Sequence, residues 1–167
     1  MTHNYFAMPY NISVPGFPFT DYDSYAAQAA ALKDSFGDPV EEFSIECLDG
    51  DNEVLFNALE VTQATLEQWF DDFEGLDGDE LIKAIYLAEY VTCDMAEILS
   101  QLEDVALFEG DAQTYVEDYI EDCGLLDDMP ENLRYYFDTE AFARDMLLGG
   151  DITEVDIMGS TYVVWEC

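Results

Sequence analysis

Positive charge is almost missing from this chain. Among 167 residues four are Lys or Arg (Lys33, Lys83, Arg134, Arg144), against 39 Asp and Glu, giving a formal net charge of −35. That excludes a basic face for nucleic acid or for an anionic membrane, because both are bound through clustered Lys and Arg. Histidine is nearly absent as well. The one His3 stands near the start of the chain, which argues against a His general base or a zinc site. The four cysteines, Cys47, Cys93, Cys123 and Cys167, are scattered, without a C-x-x-C pair or a neighbouring His, and read as reduced thiols of a cytosolic protein. No apolar run reaches membrane-spanning length. Residues 1–20 carry no Asp, Glu, Lys or Arg but include Pro9, Pro15 and Pro18, and without a basic leading segment they do not read as a signal peptide. A soluble, cytoplasmic protein is expected.

Signatures of chemistry are also lacking. There is no P-loop, dinucleotide fingerprint or nucleophile elbow. Paired carboxylates occur everywhere, so no pair stands out as a glycosidase-type acid and base. The run DGDNEVLFNALE, residues 49–60, sets Asp49, Asp51, Glu53, Asn57 and Glu60 at positions 1, 3, 5, 9 and 12 of an EF-hand loop. Position 6, which needs Gly for its sharp turn, is Val54, and a strand rather than a helix leads in. Chance spacing in an acidic chain explains the run better. No enzyme, cofactor or metal site is expected.

What the chain does have is a core. Half of its residues are hydrophobic and 14% are aromatic, unlike an acidic disordered tail. An α+β fold in three sub-domains is expected. The first, 1–60, holds strand-like residues 5–19 broken by Pro15-Gly16, a helix from Tyr22 capped by Thr20 or Asp21 and running to Gly37, and an alternating strand over 42–48. The second, 61–104, is helical, with Leu66, Trp69, Phe70 and Phe73, then Leu81, Ile82, Ile85 and Ala88, at three- and four-residue spacing. The third, 105–167, opens with a strand over 105–108 and a helix over 111–122 stopped by Gly124. A helical stretch from Pro130 through Leu147 follows, and then a hairpin around Gly159-Ser160.

The acids have a pattern of their own. In DAQTYVEDYIED, residues 111–122, Tyr115, Val116, Tyr119 and Ile120 form the apolar stripe, and Glu117, Asp118, Glu121 and Asp122 the opposite face. Glu117/Glu121 and Asp118/Asp122 are like-charge i,i+4 pairs, each destabilising by roughly 0.2–0.5 kcal/mol. The acids at the carboxyl end of the helix also oppose its dipole. No Lys or Arg relieves them. Asp71, Asp72, Glu74, Asp77, Asp79 and Glu80 repeat the one-sidedness, as do Asp127 and Asp128. A merely solvated face would interleave Lys. The uncompensated field therefore reads as the functional feature, distributed over these twelve acids, and its natural reader is a groove built for duplex DNA. Two chains at −35 each would match the phosphate charge of about 35 base pairs. One helix cannot do so alone, since twelve residues span about 18 Å. Several elements must pool their charge.

The run YVEDYIEDCGLLDDMPENLRYYFDTEAFARDMLLGGDI, residues 115–152, resembles the carboxyl-terminal part of the ArdA antirestriction proteins. The acidic helix ending in Gly124, Pro130 ahead of an aromatic-rich helix, and the FDTEAFARD block carry the likeness. The resemblance implies an elongated, curved homodimer that mimics bent DNA. It would occupy the DNA-binding core of a Type I restriction–modification enzyme and bind no nucleic acid itself. The apolar hairpin over 152–165 is the expected dimer contact. On such a surface a cation weakens the field, so Arg134 and Arg144 are expected to be internal ties. Arg144 can meet Glu140 at i,i+4, with Asp138 or a partner strand completing the fork, and Asp138 is one choice for Arg134. Two other readings of the acidity stay open: a decoy for a different DNA-binding target, such as a CRISPR complex or a nucleoid protein, and a halophilic binding domain. Melting against salt separates the last from the rest, because a halophilic domain needs molar salt to fold.

Overall fold

The computed structural model describes residues 4–166, which leaves His3 and Cys167 outside the described residues. The fold is α+β, and the chain divides into two compact units, Met1–Met95 and Ala96–Cys167.

The first unit is built on an antiparallel sheet of order β2-β1-β3, with β1 at Asn4–Pro9, β2 at Phe17–Phe19 and β3 at Phe43–Asp49. Alternation along the strands puts one set of side chains inside. Tyr5, Ala7, Phe17, Phe19, Phe43 and Ile45 are buried, while Met8, Pro18 and Glu46 on the other face are exposed. The Pro15-Gly16 turn between β1 and β2 depends on its glycine, because a Cβ there would lie 2.4 Å from the Ala7 carbonyl oxygen and 2.4 Å from the Phe6 ring. Helix α1, Tyr22–Ala31, is capped by Asp21, whose carboxylate accepts from the Ser24 N–H at 2.7 Å. The helix ends at Ala31, short of the expected Gly37. Beyond it the Asp34 carboxylate accepts from the N–H groups of Phe36 and Asp38 at 2.8 and 3.0 Å, and this local competition turns the backbone out of the helix.

Tyr25 of α1 meets the rings of Phe17, Phe19 and Phe43 at 5.1–6.1 Å. Its hydroxyl is buried without a hydrogen-bond partner, and that burial pushes its pKa up to about 12. The centre of the unit is Tyr5, packed on Phe19, Phe56 and Phe70. The Trp69 indole N–H donates to the Tyr5 hydroxyl at 3.0 Å. Trp69 belongs to the expected second section and Tyr5 to the first, so the two sections share a core.

Helix α2, Glu53–Ala58, follows the sheet. Asn52, just before it, is buried and donates from Nδ2 to the Glu74 carbonyl at 2.7 Å. Two further helices widen before they end. Helix α3, Leu66–Gln68, runs into a π-helical segment at Trp69–Phe73, and α4, Gly78–Tyr86, into another at Leu87–Val91. The bond from the Glu74 N–H to the Trp69 carbonyl at 2.9 Å has the five-residue step of that geometry.

Helix α5 spans Met95–Gln101. The second unit carries β4 at Val105–Glu109, β5 at Thr153–Ile157 and β6 at Ser160–Glu166 in an antiparallel sheet of order β4-β6-β5. Met158 and Gly159 join β5 to β6, both at positive φ as a two-residue type I′ turn requires. Phe108, Val163 and Trp165 share one face of the sheet and pack with helices α6, Ala112–Asp122, and α8, Thr139–Gly149, through Tyr115, Val116, Ile120, Ala143 and Met146. The helical stretch expected from Pro130 to Leu147 is two helices, α7 at Glu131–Arg134 and α8, because Asp138 turns out of the helix and caps α8 by accepting from the Ala141 N–H at 2.9 Å.

Replacing Trp69 with Phe keeps most of the buried ring but leaves the Tyr5 hydroxyl without its donor. Urea unfolding should show a loss of about 1–3 kcal/mol with an unchanged slope. An unaltered midpoint would mean that the Tyr5–Trp69 bond does not hold the first unit together.

Candidate functional site

All of the Asp and Glu side chains lie within the described residues, and none is buried. Asp34 and Glu74 are half-buried, and every other acid is exposed. Folding has therefore put the apolar half of the chain inside and kept the whole negative charge in water, as the desolvation penalty of an unpaired carboxylate demands.

On α6 the division is sharp. Tyr115, Val116 and Ile120 are buried and Tyr119 is half-buried, while Glu117, Asp118, Glu121 and Asp122 are exposed along the other side. The helix closes in a Schellman motif: Gly124, at φ +60, donates to the Glu121 carbonyl at 3.1 Å and Leu125 to the Ile120 carbonyl at 3.1 Å. Asp127 and Asp128, both exposed, follow in the next turn. In the first unit Asp71 and Asp72 are exposed on the π-helical segment. Asp77 precedes α4, and Asp79 and Glu80 occupy its first turn, where the helix dipole favours anions. Glu74 and Asp77 line an open cleft with Asp51, Asn52, Gly75, Leu76 and Leu81. The twelve candidate acids thus fall into two groups, 71–80 in one unit and 117–128 in the other.

Other acids have local duties that sequence reading largely passes over. Asp111 caps α6, accepting from the Thr114 N–H at 2.8 Å. That bond, chiefly, lowers its pKa below the usual carboxylate value. A depressed folded-state pKa means that the cap's contribution is present above the ordinary carboxylate range and is lost as pH falls through the folded pKa. Glu154 accepts from the Ala112 N–H at 2.7 Å, Asp156 from the Thr161 hydroxyl at 2.7 Å, and Asp49 from both the backbone and side-chain nitrogens of Asn4. An Asp three residues ahead of a helical N–H marks the caps in the sequence. The Glu154 contact joins residues 42 positions apart and leaves no such mark.

The arginines take partners other than the expected ones. Arg134 donates from Nε to the Met129 carbonyl at 3.0 Å and from Nη2 to the Asp127 carbonyl at 2.7 Å, bracing the turn that carries Asp127 and Asp128. Asp138 is engaged as the cap of α8. Arg144 lies 3.8 Å from Asp145, its sequence neighbour, with both side chains well exposed. Glu140, one helical turn back, is exposed and is not its partner. An exposed pair at that distance is weak.

The comparison with protein families decides what this surface belongs to. The ArdA antirestriction family model matches residues 17–159, from β2 to the β5–β6 turn, and takes in all twelve candidate acids and both arginines. The chain belongs to the ArdA antirestriction family. Membership of this family implies an antirestriction function. No curated protein matches the chain. No helix among the described residues is long and apolar enough to cross a membrane.

The two arginines should separate in stability measurements. Arg144→Ala should cost less than about 1 kcal/mol. Arg134→Ala, which loses two hydrogen bonds from a charged donor, should cost about 1–3 kcal/mol, and Arg134→Lys should restore little because an ammonium lacks the planar fork. Equal melting points for the two alanine variants would contradict the bracing role of Arg134.

Proposed function

We propose that the protein acts as a DNA mimic, occupying the DNA-binding groove of a Type I restriction–modification enzyme and offering carboxylates where the enzyme takes up phosphates. One observation carries most weight: the acids are exposed in both units, and the arginines that could neutralise them are occupied locally, at the Asp127 and Met129 carbonyls and beside Asp145. A Lys- and Arg-lined groove gains affinity for such a surface as it does for a duplex, by exchanging bound counterions for fixed charge. On α6 the acids at the helix carboxyl end oppose the dipole, a local penalty that binding at a basic groove would relieve. Membership of the antirestriction family supports a restriction–modification enzyme as the target.

A homodimer formed through the second unit completes the proposal. The hairpin offered for this contact by the sequence holds Val155, Ile157, Val163 and Val164 buried within the chain, so those side chains are not free for it. Among the apolar residues left in water in this unit are Leu133, Tyr135, Tyr136 and Leu148, exposed by 48%, 89%, 79% and 80%. An apolar contact there would offset repulsion between two bodies of −35 once salt screens it. Sedimentation at moderate salt should give a dimer, and Tyr135→Glu with Tyr136→Glu should give a monomer. A dimer that survives both changes would remove this surface from the proposal.

The field itself is tested by titrating charge. Glu121→Gln should change the affinity for a Type I enzyme by no more than about twofold, whereas neutralising Glu117, Asp118, Glu121 and Asp122 together should weaken it severely. If six or more carboxylates are engaged, raising salt from about 50 to 200 mM should lower affinity by a factor of about a thousand or more. A single acid whose loss abolishes binding while the fold persists would be the mark of a specific site, and would defeat the proposal.

A further inference from the structure

We propose that Asp77-Gly78 is a modification site, where spontaneous succinimide formation converts Asp77 to isoaspartate in the folded protein. The chain has two Asp-Gly pairs, Asp49-Gly50 and Asp77-Gly78. Reaction at either requires the glycine nitrogen to reach the aspartate Cγ, an approach that the missing Cβ leaves open. The two pairs are held very differently. Asp49 ends β3, and both of its carboxylate oxygens are taken: Oδ1 accepts from the Asn4 backbone N–H at 3.0 Å and Oδ2 from Asn4 Nδ2 at 3.1 Å.

Asp77 stands at the N-cap position of α4, yet its side chain makes no capping hydrogen bond. It differs in this from Asp21, Asp111 and Asp138, N-cap aspartates that each accept from the N–H three residues on. Those three carboxylates are anchored, and that of Asp77 is exposed. Gly78 opens the helix, so its N–H has no acceptor within it. Its φ is +52, and nothing lies within 4 Å of where a Cβ would be. Nucleophile and electrophile are thus adjacent, unhindered and free of competing bonds.

In the reaction the Gly78 nitrogen attacks Asp77 Cγ. An N–Cγ bond forms and a Cγ–O bond breaks, and the departing oxygen leaves as water with the amide proton and one proton taken from solvent, which is given back when the ring is hydrolysed to a carboxylate. Water then re-enters the five-membered ring. Attack at Cγ restores aspartate. Attack at the main-chain carbonyl carbon breaks its bond to nitrogen, routes the backbone through Cγ and leaves a free α-carboxylate. Water is the only co-reactant and is returned in full. The product has one extra methylene at the entry to α4, whose buried Leu81, Ile82 and Ile85 keep the helix seated while its first turn, with Asp79 and Glu80, loses its register. Any effect on enzyme binding rests on the function proposed above. The chemistry does not.

The test is to age the full-length protein at neutral pH, digest it, and quantify isoaspartate at each site by fragmentation mass spectrometry and by isoaspartate-specific enzymatic methylation. Isoaspartate should accumulate at Asp77 about tenfold or more faster than at Asp49, whose carboxylate must first release two hydrogen bonds. In urea the two rates should converge. Asp77→Glu, which would need a six-membered ring, should remove the native-state signal while the circular dichroism stays unchanged. Absence of isoaspartate at Asp77, or equal native rates at the two sites, would overturn the proposal. So would a difference that persists in urea, which would put its origin in sequence context rather than in the fold, or a signal that survives in Asp77→Glu.

Discussion

Mutual repulsion among carboxylates is the constraint under which everything else in this protein is arranged. With 39 acids and four Lys and Arg, charge cannot be neutralised in pairs, and an unpaired carboxylate cannot be taken out of water at a tolerable cost. Every acid therefore remains at least partly exposed, and cohesion has to come chiefly from apolar and aromatic burial. The dense ring packing around Tyr5 in the first unit, and the packing of Tyr115 on Phe108 and Trp165 in the second, follow from that requirement. A large, rigid ring buries much apolar area with little loss of side-chain entropy.

The surviving negative surface is not uniform in its energetics. Where an acid stands at a helix start, as Asp21, Asp111 and Asp138 do, it satisfies a backbone N–H and suits the dipole, so its presence stabilises the fold. Where acids gather at the other end, as Asp118, Glu121 and Asp122 do on α6, they repel one another and the helix terminus. The first kind belongs to the architecture. The second is retained against local stability and is what a basic groove would favour. Arg134 sits between the two, since its guanidinium braces the turn bearing Asp127 and Asp128 by gripping main-chain carbonyls and leaves their carboxylates unpaired by it.

Much of this could be read before any coordinates. The alternation in residues 5–19 and 42–48, the 3.6-residue stripe of Tyr115, Val116 and Ile120, Gly124 after the helix and the two-residue hairpin turn are local signals, and they appear as β1–β3, α6 and the β5–β6 hairpin. What escaped was decided by competition among neighbours. Asp34 ends α1 early and Asp138 splits the helical stretch after Pro130, because a short acid can bond the backbone better than the next helical turn can. The π-helical segments escaped because Trp69 and Phe73, or Leu87 and Val91, suit an α-spacing equally well. For the arginines, spacing named carboxylates one turn away, whereas the turn carbonyls and the adjacent Asp145 were nearer. At the candidate site, exposure of the acids was legible in their pattern. Which of them also serve as caps or cross-strand acceptors, Glu154 above all, depended on the tertiary fold.

The central claim is that this surface and duplex DNA fill the same groove, and competition at equilibrium tests it most directly. A Type I restriction–modification enzyme bound to a fluorescent duplex carrying its recognition sequence should release that duplex as the protein is added. The apparent affinity of the protein should fall in proportion as the duplex concentration is raised, with no species containing all three. A stable ternary complex with DNA still in its groove would contradict the account.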